Sequence, residues 1–191
     1  MKMPELRNRI NKDELKARLA QEKIERITFS FYRYVKIEDP KELRDNLFIQ
    51  WTDLNCFGRI YVAHEGINAQ MSIPKENWDT FVKQLHSDER FNNIPFKIAV
   101  DGNGKSFYKL IIKVKEKVVA DGIDDPTFNA SDTGTYLNAE GFNKAIEDPN
   151  TIVVDMRNHY ESEVGRFDKA FCPDADTFRE ELPLVVDHLK G

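Results

Sequence analysis

The apolar and polar positions divide the stretch before Ala120 into short units. Ile27–Val35 (ITFSFYRYV) is dense in β-branched and aromatic side chains and reads as a strand. At Asp39-Pro40 a helix starts, with aspartate as cap and proline suited to the first turn. Leu43, Leu47, Trp51 and Leu54 then recur at helical spacing, so this helix buries one face. Arg59–Ala63 and Ile67–Ile73 read as two further strands on either side of His64-Glu65-Gly66. Pro74 opens a second helix with the stripe Trp78, Phe81, Val82 and Leu85. Phe96–Val100 and Phe107–Val114 read as strands around Asp101-Gly102-Asn103-Gly104, whose Asp-Gly and Asn-Gly pairs favour positive φ. Ahead of all these, Asn11–Gln21 predicts a short helix. Asn11 or Asp13 caps it, and Leu15, Leu19 and Ala20 form its apolar side.

From Ile27 the order is strand, helix, strand, strand, helix, strand, strand. The first six match the split βαβ pattern of a ferredoxin-like domain, an α+β fold. Between Ala120 and Asn150 the pattern loosens into turn signals at Asp121-Gly122, Asp124-Asp125-Pro126 and Asp148-Pro149-Asn150, with one short helix expected within Tyr136–Ile146. Thr151–Met156 (TIVVDM) then reads as a buried strand, the first of a new α/β unit. The expected division is an N-terminal helical segment over 1–24, a ferredoxin-like domain over 25–118, a linker over 119–150, and the beginning of an α/β domain over 151–191.

Composition narrows the class. Of 191 residues, 40% are hydrophobic and 32% charged, which fits a soluble globular protein rather than a disordered one. Apolar runs such as Leu110–Ile112 and Ile152–Val154 are far shorter than a membrane span, and Met1-Lys2-Met3-Pro4-Glu5 is not followed by the apolar stretch of a secretory signal. The formal net charge of -5 rules out a global field attracting nucleic acid, so any such contact needs a local patch. One candidate patch is Lys105, Lys109, Lys113, Lys115 and Lys117, interrupted by the single acid Glu116. Lys109, Lys113, Lys115 and Lys117 share parity, so a regular strand would point them to one face, with Arg59 and Arg33 as additions. Phe107 and Tyr108 offer rings for unpaired bases. The plainer reading is an edge strand guarded by lysines.

His64, Glu65 and Asn68 carry a similar ambiguity. They suit a nucleotide-binding loop, or a tight connection in which Asn68 satisfies backbone groups. The two cysteines, Cys56 and Cys172, lie far apart, and no CxxC pair exists. With His86, His159 and His188 they make no metal-ligand spacing, so no metal is expected and a reducing cytoplasm is the default. Cys56, beside Phe57, reads as a small buried hydrophobe.

Three blocks identify a relationship. They are FGRIYVAHEGINAQMSIP over Phe57–Pro74, VADGID over Val119–Asp124, and DMRNHYESEVGRF over Asp155–Phe167 with ADTFREELP over Ala175–Pro183. Together they resemble the bacterial rhodanese-related tRNA uridine hydroxylases, a family first filed as uncharacterised sulfurtransferases. The resemblance implies an acylphosphatase-like first domain, a following rhodanese domain, and formation of 5-hydroxyuridine at the tRNA wobble position. Molecular oxygen would be the co-substrate, with no cofactor held by this chain, and the tRNA anticodon region the partner. It also implies that Asp155 and Arg157 support the rhodanese active-site end, where the plainer alternative is an ion pair with Glu161 or Glu163.

The family's reactive cysteine lies in a C-x-G-G-x-R loop. Cys172, in Phe171-Cys172-Pro173-Asp174, does not match it. No catalytic residue is therefore assigned. The expected cysteine lies beyond Gly191, the chain is expected to be inactive alone, and its last segment is a possible site of self-association. Persulfide sulfur transfer and non-catalytic RNA or protein binding stand as rival functions.

Overall fold

The computed structural model describes residues 10–100, 106–119, 122–123 and 132–190. The chain forms two compact units, Met1–Val119 and Ala120–Gly191.

The first unit opens with helix α1 (Lys12–Gln21), whose cap Asn11 accepts from the Asp13 amide. Strand β1 (Arg26–Tyr34) leads to helix α2 (Pro40–Asp53), where the Asp39 carboxylate accepts from the Lys41 and Glu42 amides. This arrangement satisfies two of the amides that a helix start leaves orphaned. Strands β2 (Phe57–Ala63) and β3 (Gly66–Pro74) form a hairpin, helix α3 (Trp78–Ser87) follows, and strands β4 (Lys97–Ile98) and β5 (Leu110–Val114) complete the unit.

The sheet order is β4-β1-β3-β2-β5. Its first four members are mutually antiparallel neighbours in ferredoxin-like order, and β5 adds to the edge parallel to β2. This is the expected α+β fold. One face of the sheet lies under α2 and α3. Phe29, Phe31, Ile60, Ile67, Ala69, Met71 and Ile112 pack there with Leu43, Leu47, Trp51, Phe81 and Leu85. Phe81 sits at the centre, its ring 5.2 Å from Phe29 and 5.5 Å from Trp51. Each fully buried large side chain contributes about 1.5–3 kcal/mol.

Three expected elements change their bounds. Pro74 closes β3 rather than opening a helix. Its neighbour Lys75 donates its amide to the Glu25 carbonyl, and a 3-10 turn over Lys75–Asn77 precedes α3. The strand expected over Phe96–Val100 shrinks to Lys97–Ile98, because only Phe29 and Ser30 of β1 pair with it. The strand expected from Phe107 starts at Leu110, where the register with β2 begins. The turn expected at Asp101–Gly104 lies outside the described residues.

The second unit contains α4 (Ala139–Ile146), α5 (His159–Val164) and α6 (Phe178–Leu189). The strand expected over Thr151–Met156 is reduced to one parallel bridge, Val154 to Phe171. The Asp155 amide donates to the Phe171 carbonyl, and the Phe171 amide to the Val153 carbonyl. An apolar run becomes a strand only where a partner backbone runs beside it. Among the described residues Phe171 supplies one rung, and Ile152 stays 59% exposed.

Among the described glycines of the first unit, Gly66 is the most closely approached. Its φ is +151°, and a Cβ built there would lie 2.0 Å from the Arg33 carbonyl oxygen. Gly66→Ala should cost at least about 2 kcal/mol of stability. Urea unfolding followed by the fluorescence of Trp51 and Trp78 measures this. An unchanged midpoint would show that the strands can separate at no cost.

Candidate nucleic-acid interface

The β2–β3 hairpin tip is tied down on two sides. The Ile37 amide donates to the His64 carbonyl and the Val35 amide to the Glu65 carbonyl, both at 2.9 Å. His64 Nδ1 lies 2.9 Å from the Ile37 carbonyl, where it acts as the donor and leaves Nε2 as the outward nitrogen. Glu65 Oε1 accepts from the Val118 amide at 2.8 Å, and Asn68 Nδ2 donates to the Val118 carbonyl at 3.4 Å. Val118 is itself buried. Glu65 and Asn68 therefore bracket one peptide and fix where the chain crosses after β5. Asn68 does satisfy a backbone group, and Glu65 is committed to another. Of this trio, His64 alone is exposed.

The cations are placed by register. Arg59 is exposed and sits between Gln70 of β3 and Ile111 of β5. Lys113 is exposed opposite Tyr61. Lys115 lies one residue past the strand with its ammonium 5.8 Å from the Tyr61 ring centre. Lys109 precedes the strand, its ammonium 5.8 Å from the Tyr108 ring, which Lys16 also approaches at 5.9 Å. Strand parity gathers Arg59, Lys113 and the flanking Lys109 and Lys115 on the face away from the helices, because Leu110 and Ile112 take the buried face.

Two expected members do not join them. Arg33 pairs with Ile67 on the helix-facing parity, and its guanidinium donates to the Asn92 carbonyl at 3.3 Å. Lys117 lies three residues beyond β5, where alternation no longer governs direction, and is half-buried. Lys105 lies outside the described residues.

In the second unit, Arg157 pairs with Asp155 rather than with Glu161 or Glu163. Its Nε and a terminal nitrogen reach the two carboxylate oxygens at 2.9 and 2.7 Å, and the same terminal nitrogen donates to the Gly165 carbonyl at 2.6 Å. Hydrogen bonds from Arg157 hold the Asp155 carboxyl below its ordinary value, against the opposing effect of burial. Two residues apart and forked, the pair closes its own loop.

Beside it lies a group the sequence did not single out. Glu181 of α6 is completely buried, and among the described residues neither of its oxygens has a hydrogen-bond partner. Burial, then the charges of Asp155 and Glu161, push its carboxyl up. The only sequence signal is its place among acids in the first turn of α6, where exposure would be the ordinary expectation.

The cysteines are separate. Cys56 is buried, and burial pushes its thiol up to about 12 despite the nearby Arg26. Cys172 is half-buried, with its Sγ 3.7 Å from the Ala170 carbonyl of its own loop. Among the described residues no group of His, Cys, Asp and Glu could hold a metal, and no helix is long and apolar enough to cross a membrane.

Comparison with known proteins follows the same division. Residues 26–118 match the family model described as the UPF0176 acylphosphatase like domain. The chain is 52% identical over 186 residues to a Leptospira interrogans protein named tRNA uridine(34) hydroxylase, covering 97% of this chain and 51% of that protein. Proteins of the same name from Enterobacter and Escherichia coli are 52% and 51% identical over 189 and 190 residues, and this chain covers 54% of each. The chain thus spans about half the length of the curated relatives it matches. Among solved structures, BlrB, a BLUF protein in its dark state, aligns over 48% of the chain with a TM-score of 0.33 and 14% identity, too slight a likeness to carry an argument.

Glu181 yields a pH prediction. A carboxyl raised in the fold stabilises it fully below the ordinary carboxylate range, and that contribution is lost as pH rises through the raised value. Glu181→Gln should therefore raise the thermal midpoint of the second unit at pH 8, with the gain shrinking towards pH 4. Circular dichroism melts at the two pH values measure it, and an equal effect at both would contradict the assignment.

Proposed function

We propose that this chain, a homologue over nearly its whole length of proteins named tRNA uridine(34) hydroxylase, forms the RNA-positioning part of an enzyme that hydroxylates that uridine. The observation carrying the reading is the 52% identity, which runs through both units rather than through the acylphosphatase-like domain alone. Uridine 34 lies in the anticodon, so the anticodon arm is the part of tRNA to be held, and the cytoplasm is where the chain works. Molecular oxygen is the co-substrate. One oxygen atom is inserted into the C–H bond at carbon 5, the other leaves as water, and the two electrons and two protons this requires come from a donor outside this chain.

The residues described here supply binding. Arg59, Lys109, Lys113 and Lys115 share one side of the sheet, and phosphate neutralisation is the main source of nucleic-acid affinity. Neither cysteine has the setting of a catalytic thiolate. Cys56 is buried with its thiol pushed up, and Cys172, bonded to the Ala170 carbonyl, is followed by Pro173 and Asp174 rather than by a glycine loop. The 191-residue chain alone binds tRNA without turning it over.

The purified chain should bind tRNA with an affinity that falls steeply with salt. Lys113→Gln combined with Lys115→Gln should weaken binding about tenfold at low salt and reduce the log–log salt slope by about 2. A salt-independent affinity would argue against phosphate contact. Deleting the gene should remove 5-hydroxyuridine and its derivatives from bulk tRNA, as read by nucleoside mass spectrometry. Unchanged levels would overturn the proposed activity.

A further inference from the structure

On the face of the sheet away from α2 and α3, two of the rows that the registers define carry exposed cations, while the row Thr28, Ser72, Phe57 beside them is covered, with Ser72 fully buried. One runs Lys97, Ser30, Gln70, Arg59, Ile111 across all five strands. The next runs Tyr32, Asn68, Tyr61, Lys113 across β1, β3, β2 and β5. These nine positions hold three cations, two tyrosines and no acid. The chain as a whole carries 33 acids against 28 lysines and arginines, so a mixed surface would be the expectation. None of the three cations is ion-paired within the described residues, and all three are exposed.

The tyrosines are set for contact. Tyr32 is 48% exposed, and Tyr61 is half-buried two strands away, about 10 Å across the sheet. Between them Asn68 is tied to the buried Val118, so the two rings are separate contact points. A cation attends each ring: the Lys97 ammonium lies 5.9 Å from the Tyr32 centre, and the Lys115 ammonium 5.8 Å from that of Tyr61.

A ring beside an ammonium suits a nucleotide. The base stacks on the ring while its phosphate meets the cation. A double helix cannot offer its base faces to a surface, so the occupant is single-stranded.

We infer that the exposed part of this sheet face is a stacking platform for unpaired RNA bases, with Tyr32 and Tyr61 as the stacking rings and Arg59, Lys97, Lys113 and Lys115 as phosphate contacts. The inference rests on the reading of the chain as tRNA-binding and adds which surface does it, through which chemistry, and on which strandedness. It places recognition on the flat of the sheet rather than on the hairpin tip, where Glu65 and Asn68 are occupied with Val118.

The test uses the purified chain with a fluorescein-labelled single-stranded heptauridine, a duplex RNA of equal charge, and tRNA. The wild-type chain should prefer the single strand to the duplex. Tyr32→Leu and Tyr61→Leu should each weaken single-strand binding roughly tenfold, leave the salt slope unchanged, and leave duplex binding unaffected. Tyr61→Phe, which keeps the ring, should restore it, and a circular dichroism spectrum matching wild type certifies the fold. If the leucine variants bind heptauridine as wild type does while Lys113→Gln and Lys115→Gln lose tRNA, the platform is wrong and the tRNA reading survives. If the wild-type chain binds neither heptauridine nor tRNA, both fall.

Discussion

The first unit depends on β3, which lies between β1 and β2 and pairs with both along its length. To enter that slot the chain must reverse within two residues and then pass so close to β1 that position 66 has room only for hydrogen. Once there, the alternation of β3 decides both faces. Ile67, Ala69, Met71 and Ile73 go to the core, and Asn68 and Gln70 go outward. A one-residue slip would exchange the two sets and bury the polar ones, so the closeness at Gly66 fixes register as well as connection.

Much of this unit was legible because its signals are local. Asp39-Pro40 caps α2 as read, the hydrophobic stripes of α2 and α3 face the sheet, and the six-element order gives the ferredoxin-like arrangement. The misread features are those that depend on a partner distant in sequence. Phe96–Val100 has strand composition but only two residues of β1 beside it. Thr151–Met156 has the apolar density of a buried strand but gains a single rung. Arg33 has the right charge and the wrong parity, which the pairing register reveals. Helix α6 went unread because Pro183 interrupts its interior, and with it went Glu181, whose burial no local pattern announces.

The candidate interface shows the same split. The lysines near β5 could be named from spacing, and their common side follows from alternation. That Glu65 and Asn68 are committed to Val118 is a contact across fifty residues, and it turns two of the three hairpin candidates into structural ties. The net charge also acquires a direction. An anion approaching at random meets a negative molecule, and one face of one sheet reverses the sign. Electrostatics of this kind selects orientation as well as partner.

The contrast between the two sulfurs bears on durability. Peroxide attacks the thiolate rather than the protonated thiol. Cys56, held protonated beneath the sheet's helices, is kept out of that reaction at any physiological pH. Cysteine oxidation falls instead on Cys172 of the second unit, which is only half-buried.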